Sequence, residues 1–401
     1  MRVLKMAEFF QDNGIEVYIL SAKGVFIDYF GYEKLVNQLN VTYLDDPLQR
    51  YYNQCSLANR TPSKEENVRK VNAGKWIKKI INEFSIPDKG IFFVNRYVRE
   101  AENLIKEKGI ENIIVSSPPH STQIIGYKLK KTFKEKINLI IDYRDSWNTR
   151  WIFKKSSCIP QKFNLYIERK ILNMADHVTY ASFPMLKDIN QYVADISMKS
   201  TLIMNGFDLK MHKQNTKRFH QEKQGLMTIG YFGSISDHPI SPTNPKDLFH
   251  AISNSGKDIV IHLIGDVNIS AELQNLKNLK LQIDQSIAHE EALSRMSEFD
   301  LLLVLHSDPK SSTEVLTGKL FEYMLAQRPI LVVGPKDMEA GRFVKENHLG
   351  YHIDIINDDI AAELQKIHKL WEENKLLQYS IDDVAEFSRQ NQYSKFLDII
   401  R

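Results

Sequence analysis

Short apolar runs alternate with amphipathic stretches along almost the whole of this 401-residue chain, and that alternation directs it to an α/β architecture with parallel strands. A strand buried on both faces reads as a continuous apolar run, because neither side meets water. In the first half such runs are expected at Glu16–Leu20, Asn112–Ser116, Leu139–Tyr143, His177–Ala181 and Thr201–Met204, with amphipathic helices at Arg96–Lys108 and Ser121–Phe133. The segment Asn215–Gly225 is polar and reads as a linker. The pattern then restarts, with strands at Thr228–Phe232, Ile259–Ile264, Leu279–Ile283, Leu301–Leu305 and Ile330–Val333. Helices are expected between them at Pro245–Ser253, Glu290–Ser297, Lys319–Leu325 and Met338–Glu346. The start departs from this rhythm. Arg2–Gly14 already reads as an amphipathic helix, whereas a doubly wound domain opens with a buried strand and a glycine-rich turn. Either the domain begins unusually or the given start lies downstream of the real one.

Two such units fit the length, which exceeds what one core ordinarily holds. The apolar runs Ile137–Ile141 and Leu301–Leu305 fall far short of the ~18 residues of a membrane span. No signal peptide is read at the N-terminus, where Phe9, Phe10, Gln11 and Asp12 break off any apolar core. Cys55 and Cys158 match no zinc or redox spacing, as expected of free thiols in a reducing cytoplasm. The net charge of +3 hides an asymmetry: residues 1–200 carry 31 Lys and Arg against 22 Asp and Glu, and residues 201–401 carry 22 against 28. A basic first half suits an acidic partner such as phosphorylated lipid or an anionic membrane surface; a merely solvated basic face is the alternative. No basic run interleaved with aromatics points to nucleic acid.

The densest set of chemically useful residues is Thr313–Gly334, TEVLTGKLFEYMLAQRPILVVG. It follows a strand-like run, and Gly318 is placed to open a helix that Pro329 ends. Ligands of open α/β sheets bind at loops leaving the strands' carboxyl ends and entering helices. A first helical turn there offers N–H groups and a positive pole to a diphosphate, and Lys319 adds a cation. Glu322, one turn later, suits the vicinal hydroxyls of a ribose, and Glu314 precedes the helix. Acidic residues near a helix start also serve as plain dipole partners, so the residues alone leave both readings open.

Glu314 and Glu322, followed by EYMLAQRPIL, resemble the donor-site signature of the retaining glycosyltransferases of family 4. Further segments agree in order along the chain. IIVSSPPHSTQIIGYKLKK (113–131) and LIIDYRDSW (139–147) resemble the N-domain of that family's polysaccharide and lipopolysaccharide branch. MNGFD (204–208), IGYFGS (229–234) and AHEEALSRMSEFDLLLVL (288–305) resemble its domain junction, the opening of its C-domain and the helix-strand before its donor loop. The resemblance implies a GT-B fold, two Rossmann-like domains with parallel sheets facing across a cleft. It implies an acceptor domain over 1–207 completed by a helix at 385–401, a linker at 208–226, and a nucleotide-sugar domain over 227–384. There are departures. Gln327 and Arg328 replace the family's glycine segment before the proline, and SISDHPIS after Gly233 lacks an arginine for the diphosphate. Lys319 then carries that charge alone, or Arg328 or Lys246 assists. The family's first strand and its glycine turn are not found.

On this reading the donor is a nucleotide-sugar held by Gly233, Gly318, Lys319, Leu320 and Glu322, with the base recognised around Gln285–His289. Glu314, His120 and Lys319 are the expected catalytic residues, with no metal and no cofactor beyond the donor. His120 lies in the turn SSPPHST, where Ser121 is the expected N-cap and two prolines stiffen the backbone. Arg144 and Asp145 are acceptor candidates, whereas Asp142 suits an ion-pair brace with Arg144. Asn205-Gly206-Phe207-Asp208 reads as a structural hinge. No Asp-x-Asp follows a strand, so metal-bridged diphosphate binding is not expected. The resemblance implies transfer with retention, in the cytoplasm, to a saccharide or lipid-linked saccharide in cell-surface polysaccharide assembly. Peripheral contact with anionic membrane through Lys128, Lys130, Lys131, Lys134 and Lys136 accompanies that reading. The rivals are a UDP-sugar 2-epimerase of the same fold and a non-catalytic partner subunit.

Overall fold

In the first unit, one strand is closed to water along its whole length. The computed structural model describes residues 2–23, 33–45, 85–149, 158–212, 225–309, 312–313 and 316–401. Two compact units divide the chain, Met1–Ile203 with Tyr393–Arg401, and Met204–Gln392. Unit 1 contains α1 (Arg2–Asp12), β1 (Tyr18–Lys23), α2 (Glu33–Asn37), β2 (Asn40–Asp45) and α3 (Val94–Lys108). There follow β3 (Asn112–Ser117), α4 (Ser121–Phe133), β4 (Asn138–Tyr143), α5 (Cys158–Met174), β5 (His177–Tyr180), α6 (Phe183–Tyr192) and β6 (Ser200–Leu202). Strands β3 to β6 form a parallel sheet in chain order, while β1 and β2 pair only with each other. All six residues of β4 are buried, and its apolar run explains why: Leu139, Ile140 and Ile141 pack on both faces.

Asp142 sits inside that strand. Arg2 of α1 meets it with Nη2–Oδ1 at 2.8 Å and Nε–Oδ2 at 3.1 Å, and the hydroxyls of Ser116 (2.8 Å) and Thr179 (2.7 Å) donate to it as well. Burial pushes this carboxyl up, but the Arg2 charge and the donated hydrogen bonds outweigh it and hold Asp142 below its ordinary value. Removing one partner of such a buried pair costs about 3–5 kcal/mol. The brace expected around Asp142 is therefore present, but its cation is Arg2 and not the neighbouring Arg144. The cap of α4 also differs from expectation. Ser121 is the first helical residue, and its N–H donates to Asp88 Oδ2 at 2.9 Å, so the capping carboxylate comes from a distant loop.

Unit 2 contains β7 (Met227–Phe232), β8 (Ile235–Ser236), α7 (Lys246–Ser255), β9 (Ile259–Ile264), β10 (Val267–Asn268), β11 (Leu279–Asp284) and α8 (His289–Met296). It continues with β12 (Leu301–Leu305), α9 (Gly318–Leu325), β13 (Ile330–Gly334), α10 (Glu339–Glu346), β14 (Gly350–Asp354) and α11 (Ile360–Glu372). Helix α12 (Arg389–Leu397) begins in unit 2 and ends in unit 1. The parallel sheet has the order β11-β9-β7-β12-β13-β14. The chain winds outward from β7 to β11 and then returns to β12 on β7's other side. The loops after β7 and β12 therefore flank the point where winding reverses, the ordinary ligand position in such sheets. Beyond the expected elements the structure has α2, β2, β8, β10, β14, α5, α6 and α11. Residues 213–224, nearly all of the expected linker, lie outside the described residues, as does Cys55.

At Gly206, φ is +66° and a Cβ would stand 2.9 Å from the Arg389 N and the Phe387 O, so a side chain is excluded by backbone. Asp208 Oδ1 accepts from the Lys210 N–H at 3.0 Å, which closes the turn locally.

Candidate functional site

In unit 2 the reversal point brings together a turn and a helix start. Gly233 follows β7 directly, with φ +128° and its N–H bonded to the Ile264 carbonyl at 2.8 Å. Helix α9 starts after the β12 loop, with Thr317 extended at its N-cap and making no side-chain cap. The helix is fixed by burial of Leu320, Phe321, Tyr323 and Met324. Tyr323 Oη donates to the Leu303 carbonyl at 3.2 Å and accepts from the Phe232 N–H at 3.2 Å, which ties α9 to both central strands. The first N–H groups of a helix lack intrahelical acceptors, though here the Leu320 N–H already reaches the Thr317 carbonyl at 3.1 Å.

Lys319 joins the two. Its Nζ lies 3.2 Å from Tyr231 Oη and 4.4 Å from the centre of that ring. A Cβ on Gly233 would fall 2.5 Å from the same nitrogen, so the glycine leaves the space the amine occupies. Tyr231 Oη in turn donates to the Ser234 carbonyl at 2.7 Å. Burial draws the Lys319 amine down to about 8, against the pull of Glu322. Burial raises the Tyr231 hydroxyl to about 12, so it stays a neutral donor.

Glu322 stands one turn along, with Oε1 3.8 Å from His289 Nε2. Burial raises its carboxyl above the ordinary value, opposed by the charges of His289, Arg389 and Lys319. Gly318 is exposed at the helix start, whereas the Leu320 side chain is fully buried, so Leu320 offers a ligand only its main chain. Arg328 Nε donates to the Ser297 carbonyl at 2.8 Å, which occupies it in tying the end of α9 to the loop after α8. Glu314 lies outside the described residues. The sequence reading missed Tyr231 and did not pair His289 with Glu322. Tyr231 carried a faint signal, a polar-tipped ring two residues before a turn glycine in a buried strand.

In unit 1, His120 is buried at the carboxyl end of β3 and stacks on Trp147, ring centres 5.4 Å apart and planes 7° from parallel. The Arg144 N–H donates to the Ser117 carbonyl at 2.9 Å, and its guanidinium donates to the Pro118 carbonyl. Arg144 thus holds the turn that carries His120. Half-buried Asp145 follows it in the same loop.

Beneath this turn runs a buried polar chain. Gln123 Nε2 donates to Ser117 Oγ at 2.8 Å, Tyr143 Oη lies 3.2 Å from Gln123 Oε1 and 2.8 Å from Glu168 Oε1, and Asn148 Nδ2 donates to Glu168 Oε2 at 2.6 Å. Burial lifts the Glu168 carboxyl to about 7, against the hydrogen bonds from Asn148 and Tyr143. A phenol has one proton and here faces two acceptors. A protonated Glu168 resolves this by donating to Tyr143, which frees the phenol proton for Gln123. No local sequence signal marks Glu168, because its two partners, Tyr143 and Asn148, lie in another segment of the chain.

The architecture of the two units is that of the GT-B glycosyltransferase fold. A glycosyltransferase from Rickettsia africae aligns with a TM-score of 0.63 at 13% identity, over 99% of this chain and 93% of its own. Anabaena HepE in complex with UDP and glucose aligns at 0.59 and 14% identity, over 99% and 94%. A trehalose 6-phosphate synthase from Burkholderia multivorans aligns at 0.56 and 8% identity, over 96% and 98%. No family model and no curated protein matches the chain.

Proposed function

We propose that the chain is a glycosyltransferase that takes a sugar from a nucleotide-diphosphate donor. The observation that carries the reading is the Lys319 amine, buried against Tyr231 and the Gly233 turn at the reversal point of a parallel sheet. Breaking the bond to the sugar develops negative charge on the diphosphate, and a cation fixed beside a helix start stabilises that charge where it forms. Lys319 and the first turn of α9 take this role, Glu322 accepts from the ribose hydroxyls, and Glu314 orients the sugar. His120, Arg144 and Asp145 serve the acceptor, a saccharide on a lipid carrier in surface polysaccharide assembly. Transfer retains the anomeric configuration and proceeds in excess EDTA. The bound UDP and glucose of HepE support a uridine nucleotide as the first donor to try.

The test is calorimetric titration with UDP across pH. With the free Lys319 amine at about 8, the site loses its cation as pH rises through that value, whereas bound diphosphate keeps the amine protonated. Affinity is expected to fall above pH 8 by up to about ten-fold per pH unit. The UDP diphosphate is fully ionised over this range, and with the titration kept below the ionisation of the uracil ring, a loss of affinity that Lys319→Ala does not show belongs to the protein. Lys319→Ala should bind weakly and lose the dependence, and Glu322→Ala should abolish binding. A wild-type protein that binds no nucleoside diphosphate refutes the proposal.

A further inference from the structure

We infer that the outer face of α5, with the adjoining edge of α4 and the end of α6, docks on an anionic lipid bilayer. The inference deepens the lipid-carrier reading and rests on it for its purpose. Along α5 the exposed side chains are Lys162, Phe163, Tyr166, Arg169, Lys170 and Asn173, spaced to share one face over about 15 Å of helix. Phe163 and Tyr166 leave 51% and 53% of their surface in water. The one acidic residue of α5, Glu168, is fully buried, and α4 carries no acidic residue at all. The Lys170 ammonium sits 4.5 Å from the centre of the Tyr166 ring, so cation and ring present themselves together.

The neighbouring elements extend the same chemistry. Helix α4 packs beside α5 and exposes Lys131, one turn from Tyr127. Lys130 does not contribute, because its ammonium is buried against Asp176 (2.7 Å) and the Ile137 carbonyl (2.8 Å). Arg169 Nε donates to the Val193 carbonyl at 2.6 Å, which sets the exposed Tyr192 beside α5. Lys199 Nζ donates to the Leu172 and Ala175 carbonyls, both at 2.7 Å, which sets Met198, 98% exposed, at the end of α5. Of the acidic groups at that end, Asp176 is paired with Lys130, and Asp195 is engaged by Ser197 through its hydroxyl (2.7 Å) and N–H (3.0 Å).

Exposed rings set among cations, with no carboxylate on either helix face, match the headgroup region of an anionic leaflet. That region takes aromatic rings at the interface and attracts Lys and Arg through its surface charge. Binding of this kind is peripheral, and among the described residues no helix is long and apolar enough to cross a membrane.

Co-sedimentation of the full chain with phosphatidylcholine vesicles, with and without phosphatidylglycerol, tests the inference. The wild type is expected to bind the phosphatidylglycerol vesicles, weakly the neutral ones, and less as salt rises. Each basic residue removed lowers binding about five-fold, so Lys162→Glu with Lys170→Glu should lower it roughly thirty-fold or more. Phe163→Ser with Tyr166→Ser leaves charge unchanged and should lower it about ten-fold. Lys280→Glu with Lys345→Glu, exposed positions of unit 2 with the same charge change, should bind like the wild type. Equal binding to both vesicle types, wild-type binding by either α5 double variant, or retention by a single-stranded oligonucleotide without vesicle binding would each overturn it. UDP titration of the same proteins keeps the two readings apart. Variants that lose vesicles and keep UDP support the surface, whereas a wild type that keeps vesicles and binds no UDP refutes only the transferase.

Discussion

Glu168→Gln should make the protein more stable at neutral and alkaline pH. In the folded chain the Glu168 carboxyl is raised from 4.5 to about 7, so between those values the folded state holds a proton that the unfolded chain has released. A raised carboxyl contributes its stability fully below the unfolded value and loses it as pH rises through the folded one. Each pH unit in that window is worth about 1.4 kcal/mol, so about 3 kcal/mol of stability disappears between pH 4.5 and 7. Glutamine copies the protonated acid: its amide donates to Tyr143 and its carbonyl accepts from Asn148, at the positions where Glu168 makes 2.8 and 2.6 Å contacts. It never charges. The assay is peptide-resolved hydrogen exchange of β4, with variant and wild type measured at each pH so that intrinsic exchange cancels. Near pH 4.5 the two should match, and by pH 8 the variant's β4 amides should be protected by about 3 kcal/mol more. A stability difference that stays constant between pH 4.5 and 8 would refute the reasoning, because a neutral side chain cannot share the wild type's proton linkage.

Gly233→Ala forces a Cβ to within 2.5 Å of the Lys319 nitrogen at a φ of +128°. It should displace the amine from Tyr231 and weaken UDP binding at least about ten-fold, roughly the worth of one charge-assisted hydrogen bond. Titration of a variant shown by circular dichroism to be folded checks this, and unchanged affinity would contradict the proposed role of the turn. Gln327 follows α9 in the left-handed region, φ +53°, which favours glycine. A residue with a Cβ pays about 1–2 kcal/mol there, partly offset by the extra unfolded freedom of glycine, so Gln327→Gly should stabilise by about 0.5–1 kcal/mol. Thermal unfolding at a lower temperature than wild type would count against it.

The strands were legible wherever burial on both faces leaves an unbroken apolar run. Ile259–Ile264 and Leu301–Leu305 have the bounds expected from sequence. Strand β14 was not legible, because GYHID at the sheet edge needs no such run. Helix α5 was obscured by Phe163 and Tyr166, which put aromatic rings on its wet face and blur the helical period. Helix α11 did carry a signal, with Ile360, Leu364, Ile367 and Trp371 at alternating steps of four and three and buried together. Asp88 capping α4 and Arg2 bracing Asp142 left no trace, since each joins segments far apart in the chain. The same holds at the candidate site. Gly233 and Lys319 stand out as a turn after a strand and a cation at a helix start, but the amine's seat on Tyr231 depends on how α9 packs against β7.

Lys319 and Glu322 are perturbed in opposite directions by one cause. Desolvation disfavours the charged form of each, drawing the amine down and pushing the carboxyl up. Their mutual attraction opposes both shifts without cancelling either. A site left in this state rewards a ligand that supplies what water no longer does: negative charge for the amine and hydroxyl donors for the carboxylate. A nucleoside diphosphate carries both, on its phosphates and its ribose. Binding should then take up a proton at Lys319 on the alkaline side and release one from Glu322 on the acid side. Affinity accordingly peaks between the two ionisations, and in Glu322→Gln the acid limb should shrink to the part set by protonation of the UDP phosphate itself, at about pH 6, while the alkaline limb remains. An acid limb unchanged in that variant would assign the ribose to some other group.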